Sequence, residues 1–100
     1  MTGSRLIIPD LAAKVVLITG GSTGIGAAVA RGFAEQGARV AIGYYSSADR
    51  AHALVSEITA GGGEALAVKG DVADPKACAQ IVAETTSRFG GLDGLVNNPA

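Results

Sequence analysis

Val15-Val16-Leu17-Ile18-Thr19-Gly20-Gly21-Ser22-Thr23-Gly24-Ile25-Gly26 is the stretch whose reading decides the fold. Its β-branched, apolar opening reads as a strand. A glycine-spaced turn follows and opens directly into a helix, with Ile25, Val29 and Phe33 on one face and the small Ala28 and Ala30 beside them. The first N–H groups of a helix have no partner within it, and its dipole is positive there, so such a junction suits a phosphorylated ligand. The glycines divide the work. Gly20 lets the chain turn sharply after the strand, Gly24 lets backbone approach a ligand with no Cβ in the way, and Gly26 lets the helix lie close on the sheet. Ser22 and Thr23 add hydroxyl donors.

Outward from this junction the pattern alternates. Residues 1–9 form a lead-in, strand one spans Lys14 to Thr19, and the first helix runs from Ile25 to Gln36 with Gly37 as its terminating residue. Arg39 to Tyr44 is strand two. Ser47 or Asp49 caps a second helix whose apolar stripe is Ala51, Leu54, Val55 and Ile58, and Gly61-Gly62-Gly63 stops it. Glu64 to Lys69 is strand three. Asp74 as cap and Pro75 at the first helical position open a third helix, which places Cys78, Ile81, Val82, Thr85 and Phe89 on one face and ends before Gly90-Gly91. Leu92 to Asn97 is strand four. The strands are apolar throughout rather than alternating, as strands buried on both faces of a parallel sheet are. The expected fold is α/β, a doubly wound parallel sheet of β-α-β-α-β-α-β order forming one partial domain over residues 1–100.

Composition narrows the function. Hydrophobic residues make up 48% of the chain and aromatics only 4%, so Val, Ile, Leu and Ala must build the core. The net charge is −1 with no basic stripe, which argues against nucleic acid as a partner. One cysteine excludes an intrachain disulfide and suits a reducing, cytoplasmic setting. No apolar run approaches the roughly 20 residues of a membrane span. One His and one Cys far apart make no metal cluster; His52 reads as a solvated helix residue and Cys78 as a small core residue. A P-loop is excluded, because it needs a Gly-Lys-Ser/Thr ending and no lysine occurs between Lys14 and Lys69.

The spacing is Gly-x-x-x-Gly-x-Gly, and it resembles the cofactor motif of the classical short-chain dehydrogenase/reductase family. Other motifs agree in order and interval. Asp71-Val72 after strand three resembles the family's adenine-contacting pair. Asp93-Gly94-Leu95-Val96-Asn97-Asn98 resembles the run into its Asn-Asn-Ala-Gly motif, and Asp10-Leu11-Ala12-Ala13-Lys14-Val15 its lead into strand one. The resemblance covers about residues 10–98. It implies that Gly20, Ser22, Thr23, Gly24, Ile25 and Gly26 hold the pyrophosphate and adenosine ribose of a dinucleotide. Asp71 would accept from the adenine amino group and Val72 help place the ring, while Asn97 and Asn98 stabilise the sheet and border the ribose site. Read as structure alone, Asp71 and the Asn97-Asn98 pair are turn residues. Two positions depart from the family. Pro99-Ala100 stand where Ala-Gly is usual, which restricts Asn98, and Ala13 stands where glycine is frequent, a change expected to be harmless.

An acidic residue at the end of strand two usually bonds the 2′-hydroxyl of NAD and would repel a 2′-phosphate. No carboxylate lies between Glu35 and Asp49, and the strand ends in Tyr44-Tyr45-Ser46-Ser47, where small hydroxyls accommodate a phosphate. NADP is therefore expected over NAD, with Tyr45 and Ser46 in the cofactor site; Arg50, one helical turn on, is otherwise a solvated helix arginine. The resemblance implies hydride transfer between nicotinamide and a small carbonyl or alcohol, catalysed by a Ser and a Tyr-x-x-x-Lys, in a protein that is a homo-oligomer when full length. Neither Tyr44 nor Tyr45 has a lysine four residues on, so no catalytic residue is assigned. The expectation is the cofactor-binding half of such an oxidoreductase, inactive by itself; the alternatives are a non-catalytic dinucleotide-binding module and a truncated, non-functional product. Strand four is expected beside strand one with its outer edge exposed, making the chain prone to associate.

Overall fold

The computed structural model describes residues 12–20 and 24–97. Its elements are β1 (Val15–Thr19), α1 (Gly24–Glu35), β2 (Arg39–Tyr44), α2 (Ala48–Ala60), β3 (Glu64–Lys69), α3 (Pro75–Phe89) and β4 (Gly94–Asn97). The strands form one four-stranded sheet in the order β3-β2-β1-β4, with every neighbouring pair parallel.

Handedness determines the layers. The chain steps from β1 to β2 to β3 in one direction, so right-handed crossovers put α1 and α2 on the same face. It then reverses to reach β4, and the same rule sends α3 to the other face. The core divides accordingly. Val16, Ile18, Val40 and Ile42 meet Ala27, Ala30, Ala51, Leu54 and Ile58 on one side. Leu17, Ala41, Leu66 and Val68 meet Ile81 on the other. All five residues of β1 are buried, and each large apolar side chain so placed contributes about 1.5–3 kcal/mol.

The helix ends follow their local chemistry. Gly37, at φ 91°, donates to Ala34 O at 3.0 Å, and Ala38 donates to Phe33 O at 3.1 Å. Gly62, at φ 95°, repeats the arrangement at the end of α2, with Gly62 bonded to Thr59 O and Gly63 to Ile58 O. Both are paired-bond caps that use a left-handed glycine to satisfy the last carbonyls. At the start of α3, Asp74 Oδ1 accepts from Lys76 N at 3.0 Å, as the sequence predicts. Ser47 occupies the cap position of α2, but its hydroxyl makes no capping bond, since its φ −102°, ψ 53° is not the extended backbone such a cap needs.

Three further expectations are corrected. Ile25 and Ala28, expected on the packing face of α1, are exposed, and the buried stripe is Gly26, Ala27 and Ala30. β4 begins at Gly94 and not at Leu92. Leu92 packs into the α3-side core, while Asp93 bonds β1 partly through its side chain: its N–H donates to Val15 O, and its Oδ2 accepts from Val15 N, both at 2.8 Å. The change at Ala13 is also not neutral. Ala13 has φ 65°, the left-handed region in which a Cβ crowds the backbone. Its carbonyl accepts from Arg39 Nη2 at 3.2 Å, and the Arg39 guanidinium lies 5.4 Å from the centre of the Phe89 ring.

Arg31 on α1 and Glu57 on α2 form an ion pair at 2.6 Å on the surface. The hydrogen bond from Arg31 holds the Glu57 carboxyl below the usual carboxylate range. A depressed folded-state pKa stabilises above the unfolded value and is lost as pH falls through the folded value. Replacing Glu57→Gln should therefore flatten the fall of Tm between about pH 5 and pH 3, with the two proteins converging at the acid end and in high salt. Ala13→Gly should raise stability by about 1 kcal/mol, seen as a Tm higher by about 4–8 °C.

Candidate functional site

All strands are parallel, so their carboxyl ends share one edge of the sheet. The order of the strands reverses between β1 and β4, and a ligand crevice of a doubly wound sheet lies outside the strand ends at such a point. The residues found there are largely those singled out from sequence.

Gly20 follows β1 at φ 66° and donates its N–H to Gly43 O at 3.1 Å. α1 then opens on Gly24 at φ 51°, and a Cβ built on Gly24 would meet nothing within 4 Å. The glycine is thus required by its left-handed backbone, and the space above it is open. Gly26, Ala27 and Ala30 form the buried stripe of α1, small residues that let the helix lie close to the sheet. The first turn of α1 holds no acidic residue, whereas Asp49 lies in the first turn of α2 and Asp74 caps α3. The positive pole of α1 has no such compensation within its first turn.

Around this opening stand exposed apolar side chains. Ile25 is 77% exposed, Tyr45 63% and Val72 45%, values that mark a surface suited to flat or apolar ligand groups. After β3, Gly70 donates to Tyr44 O at 2.8 Å, and Asp71 Oδ1 accepts from Ala73 N at 2.9 Å. Asp71 is therefore both the turn residue and a fixed carboxylate, because one oxygen closes the turn and Oδ2 has no partner among the described residues. Ser46 lies with Ser47, Ala48, Asp49 and Arg50 around an open depression of about 440 Å³. Tyr44 is turned inward, edge-on to His52 with ring centres 5.8 Å apart. At the end of β4, Asn97 Oδ1 accepts from the buried Thr19 hydroxyl at 2.7 Å.

Ser22, Thr23 and Asn98 lie outside the described residues. Sequence reasoning assigned no role to Thr19; the signal was a hydroxyl closing an otherwise apolar strand just before the glycine turn. Two hollows of about 240 and 480 Å³ lie away from this edge, near the ends of α1 and α2. Glycine turns and Glu35 line both, and carboxylates beside helix carboxyl ends make a poor anion site. The described residues contain no cluster of three or more metal-ligating side chains and no helix long and apolar enough to cross a membrane.

The family model for short chain dehydrogenase matches residues 14–100. The chain belongs to this family. L-rhamnose 1-dehydrogenase (NAD(P)(+)) of Sphingomonas sp. (strain SKA58) is 51% identical over 88 residues, covering 88% of this chain and 35% of that protein. A 3-oxoacyl-[acyl-carrier-protein] reductase of Synechocystis is 44% identical, covering 88% of this chain and 36% of its own. The crystal structure of a short chain dehydrogenase from Burkholderia cenocepacia J2315 in complex with NADP superposes with a TM-score of 0.86 at 51% identity, over 90% of this chain and 37% of that one. The chain thus spans about a third of the length of the relatives it matches. The family's nicotinamide dinucleotide fits the residues present, since the left-handed Gly24 faces open space at the uncompensated pole of α1.

The Thr19–Asn97 bond ties the two strands that flank the crevice. Thr19→Val keeps the shape and removes the donor, so it should cost about 1 kcal/mol in urea unfolding and speed amide exchange at Asn97.

Proposed function

We propose that this chain is the dinucleotide-binding part of an oxidoreductase that interconverts a small carbonyl and an alcohol, with NADP as its preferred cofactor. The observation that carries the reading is Gly24: a left-handed first helical residue with open space where a side chain would stand, at the carboxyl end of the central strand.

In this reading the N–H groups and hydroxyls of Gly20, Ser22, Thr23, Gly24, Ile25 and Gly26 hold the pyrophosphate and the adjoining ribose. Asp71 accepts from the adenine amino group through the oxygen not used in its own turn, and exposed Val72 lies against the ring. Asn97, with its carbonyl engaged by Thr19, keeps its amide N–H groups for the ribose side, and Asn98 borders the same place. The bound dinucleotide supplies hydride chemistry at its nicotinamide. The 100 residues contain no Tyr-x-x-x-Lys, so the reading assigns them binding and orientation, not proton transfer.

NADP is preferred because Tyr45, Ser46 and Ser47 follow β2 with no carboxylate among them. The Ser47 hydroxyl is unspent as a cap and shares a depression with Ser46 and Arg50, while Asp49 opposes Arg50 there. One relative is an NAD(P)(+)-linked dehydrogenase, and one solved relative holds NADP. A cytoplasmic setting and a homo-oligomeric full-length protein go with this reading. An L-rhamnose 1-dehydrogenase and a 3-oxoacyl-[acyl-carrier-protein] reductase are both among the relatives, and a carbonyl or alcohol is the substrate class common to them.

The test is titration of NADPH and NADH with the chain, followed by nicotinamide fluorescence. NADPH should bind more tightly. Gly24→Val should raise its Kd about a hundredfold, a loss of ~3 kcal/mol. Ser47→Asp should shift the preference toward NADH by about tenfold. Unchanged NADPH affinity in the Gly24→Val protein would overturn the reading.

A further inference from the structure

The chain holds one histidine, and its ring is not left free in solvent. His52 is exposed on α2, yet it meets Tyr44 edge-on, with ring centres 5.8 Å apart and planes at 67°. Tyr44 closes β2 and packs against the core on the α1–α2 face. An aromatic edge contact of this kind fixes where the imidazole stands, at the carboxyl end of the sheet. Helical side chains lean toward the amino end of their helix, so His52 lies over the turn that holds Ala48 and Asp49. Both of these line the depression of about 440 Å³ that also takes in Ser46, Ser47 and Arg50.

The fixed charges of the depression cancel: Asp49 and Arg50 are the ionised side chains that line it, one of each sign. Around His52, α2 supplies these two and β2 supplies Tyr44. β3 supplies exposed Lys69, in register with Tyr44 on the same face of the sheet. α1 carries no charged side chain before Arg31, and Arg31 is held by Glu57. Of these groups only an imidazole changes charge between pH 5 and pH 8.

We propose that His52 makes the choice of NADP over NAD proton-dependent. Charged, it offsets Asp49 and leaves the rim positive toward a 2′-phosphate; neutral, it leaves Arg50 and Asp49 balanced. The inference rests on the cofactor reading above and adds to it a residue and a direction: a proton on His52 strengthens the hold on a 2′-phosphate and not on a 2′-hydroxyl. The effect is that of an exposed charge pair, about threefold in affinity. A phosphate monoester itself loses a charge as pH falls through about 6, which acts the other way. The comparison that isolates His52 is therefore between parent and variant at one pH.

The single histidine serves as its own probe. In isotopically labelled chain, the imidazole Cε1 proton is followed by NMR against pH, free and with saturating NADP or NAD in oxidised form. By linkage, a ligand that binds the charged form threefold better raises the titration midpoint by about 0.5 pH. NADP should do so, and NAD should leave the midpoint in place. In fluorescence titrations His52→Gln should bind NADPH as the parent does at pH 8, and about threefold more weakly at pH 6. His52→Lys, whose charge persists, should bind NADPH more tightly than His52→Gln at both pH values. His52 is exposed, so neither replacement removes core packing, and circular dichroism of each variant checks the fold. The inference is overturned if NADP leaves the midpoint where it was, if NAD moves it equally, or if His52→Gln follows the parent at pH 6. The cofactor reading fails by a different result, a Gly24→Val protein that holds NADPH unchanged at pH 8.

Discussion

The double burial of β1 is the constraint on which the rest depends. Val15 to Thr19 are covered above and below and laddered on both edges. A strand in that position offers no face to water, so both layers of helix are required. Its neighbours run parallel to it, so each connection must cross over the sheet through a helix. The one reversal of direction, between β3 and β4, then sends α3 to the opposite face and opens a crevice at the end of β1. The place where a ligand could be held is thus a by-product of how the central strand is covered.

The elements most legible in the sequence are those whose ends carry their own chemistry. α3 is bracketed by Asp74-Pro75 and by Gly90 at φ 83°, and its span matches the expected one. β2 and β3 are equally well delimited, by the glycine turns before them and the polar residues after. The start of β4 was not legible, because a carboxylate that accepts from a strand N–H looks in sequence like any turn Asp. Nor could the strain at Ala13 be read from the residue, since alanine carries no mark of a left-handed backbone. At the candidate site the glycines, Asp71, Val72 and Asn97 were legible as a motif series. The Thr19–Asn97 bond was not, because it joins residues 78 positions apart that meet only once the sheet is assembled.

The excess of glycine, 15 in 100 residues, serves opposite ends of the molecule. Gly37 and Gly62 close α1 and α2 at the amino edge of the sheet, where their left-handed backbones bring orphan carbonyls into hydrogen bonds. Gly24 stands at the carboxyl edge, where the same freedom opens α1 with no side chain over it. One residue type therefore both finishes helices and exposes a helix start. The electrostatic asymmetry follows the same division, with carboxylates at the openings of α2 and α3 and none at that of α1.

The separation of 78 residues between Val15 and Asp93 has a kinetic consequence. On a ribosome adding about 5–20 residues per second, the central strand waits roughly 4–16 s for its second partner to be made. During that interval the β1–α1–β2 unit must hold together on its own contacts, with the most apolar strand of the molecule open along one side.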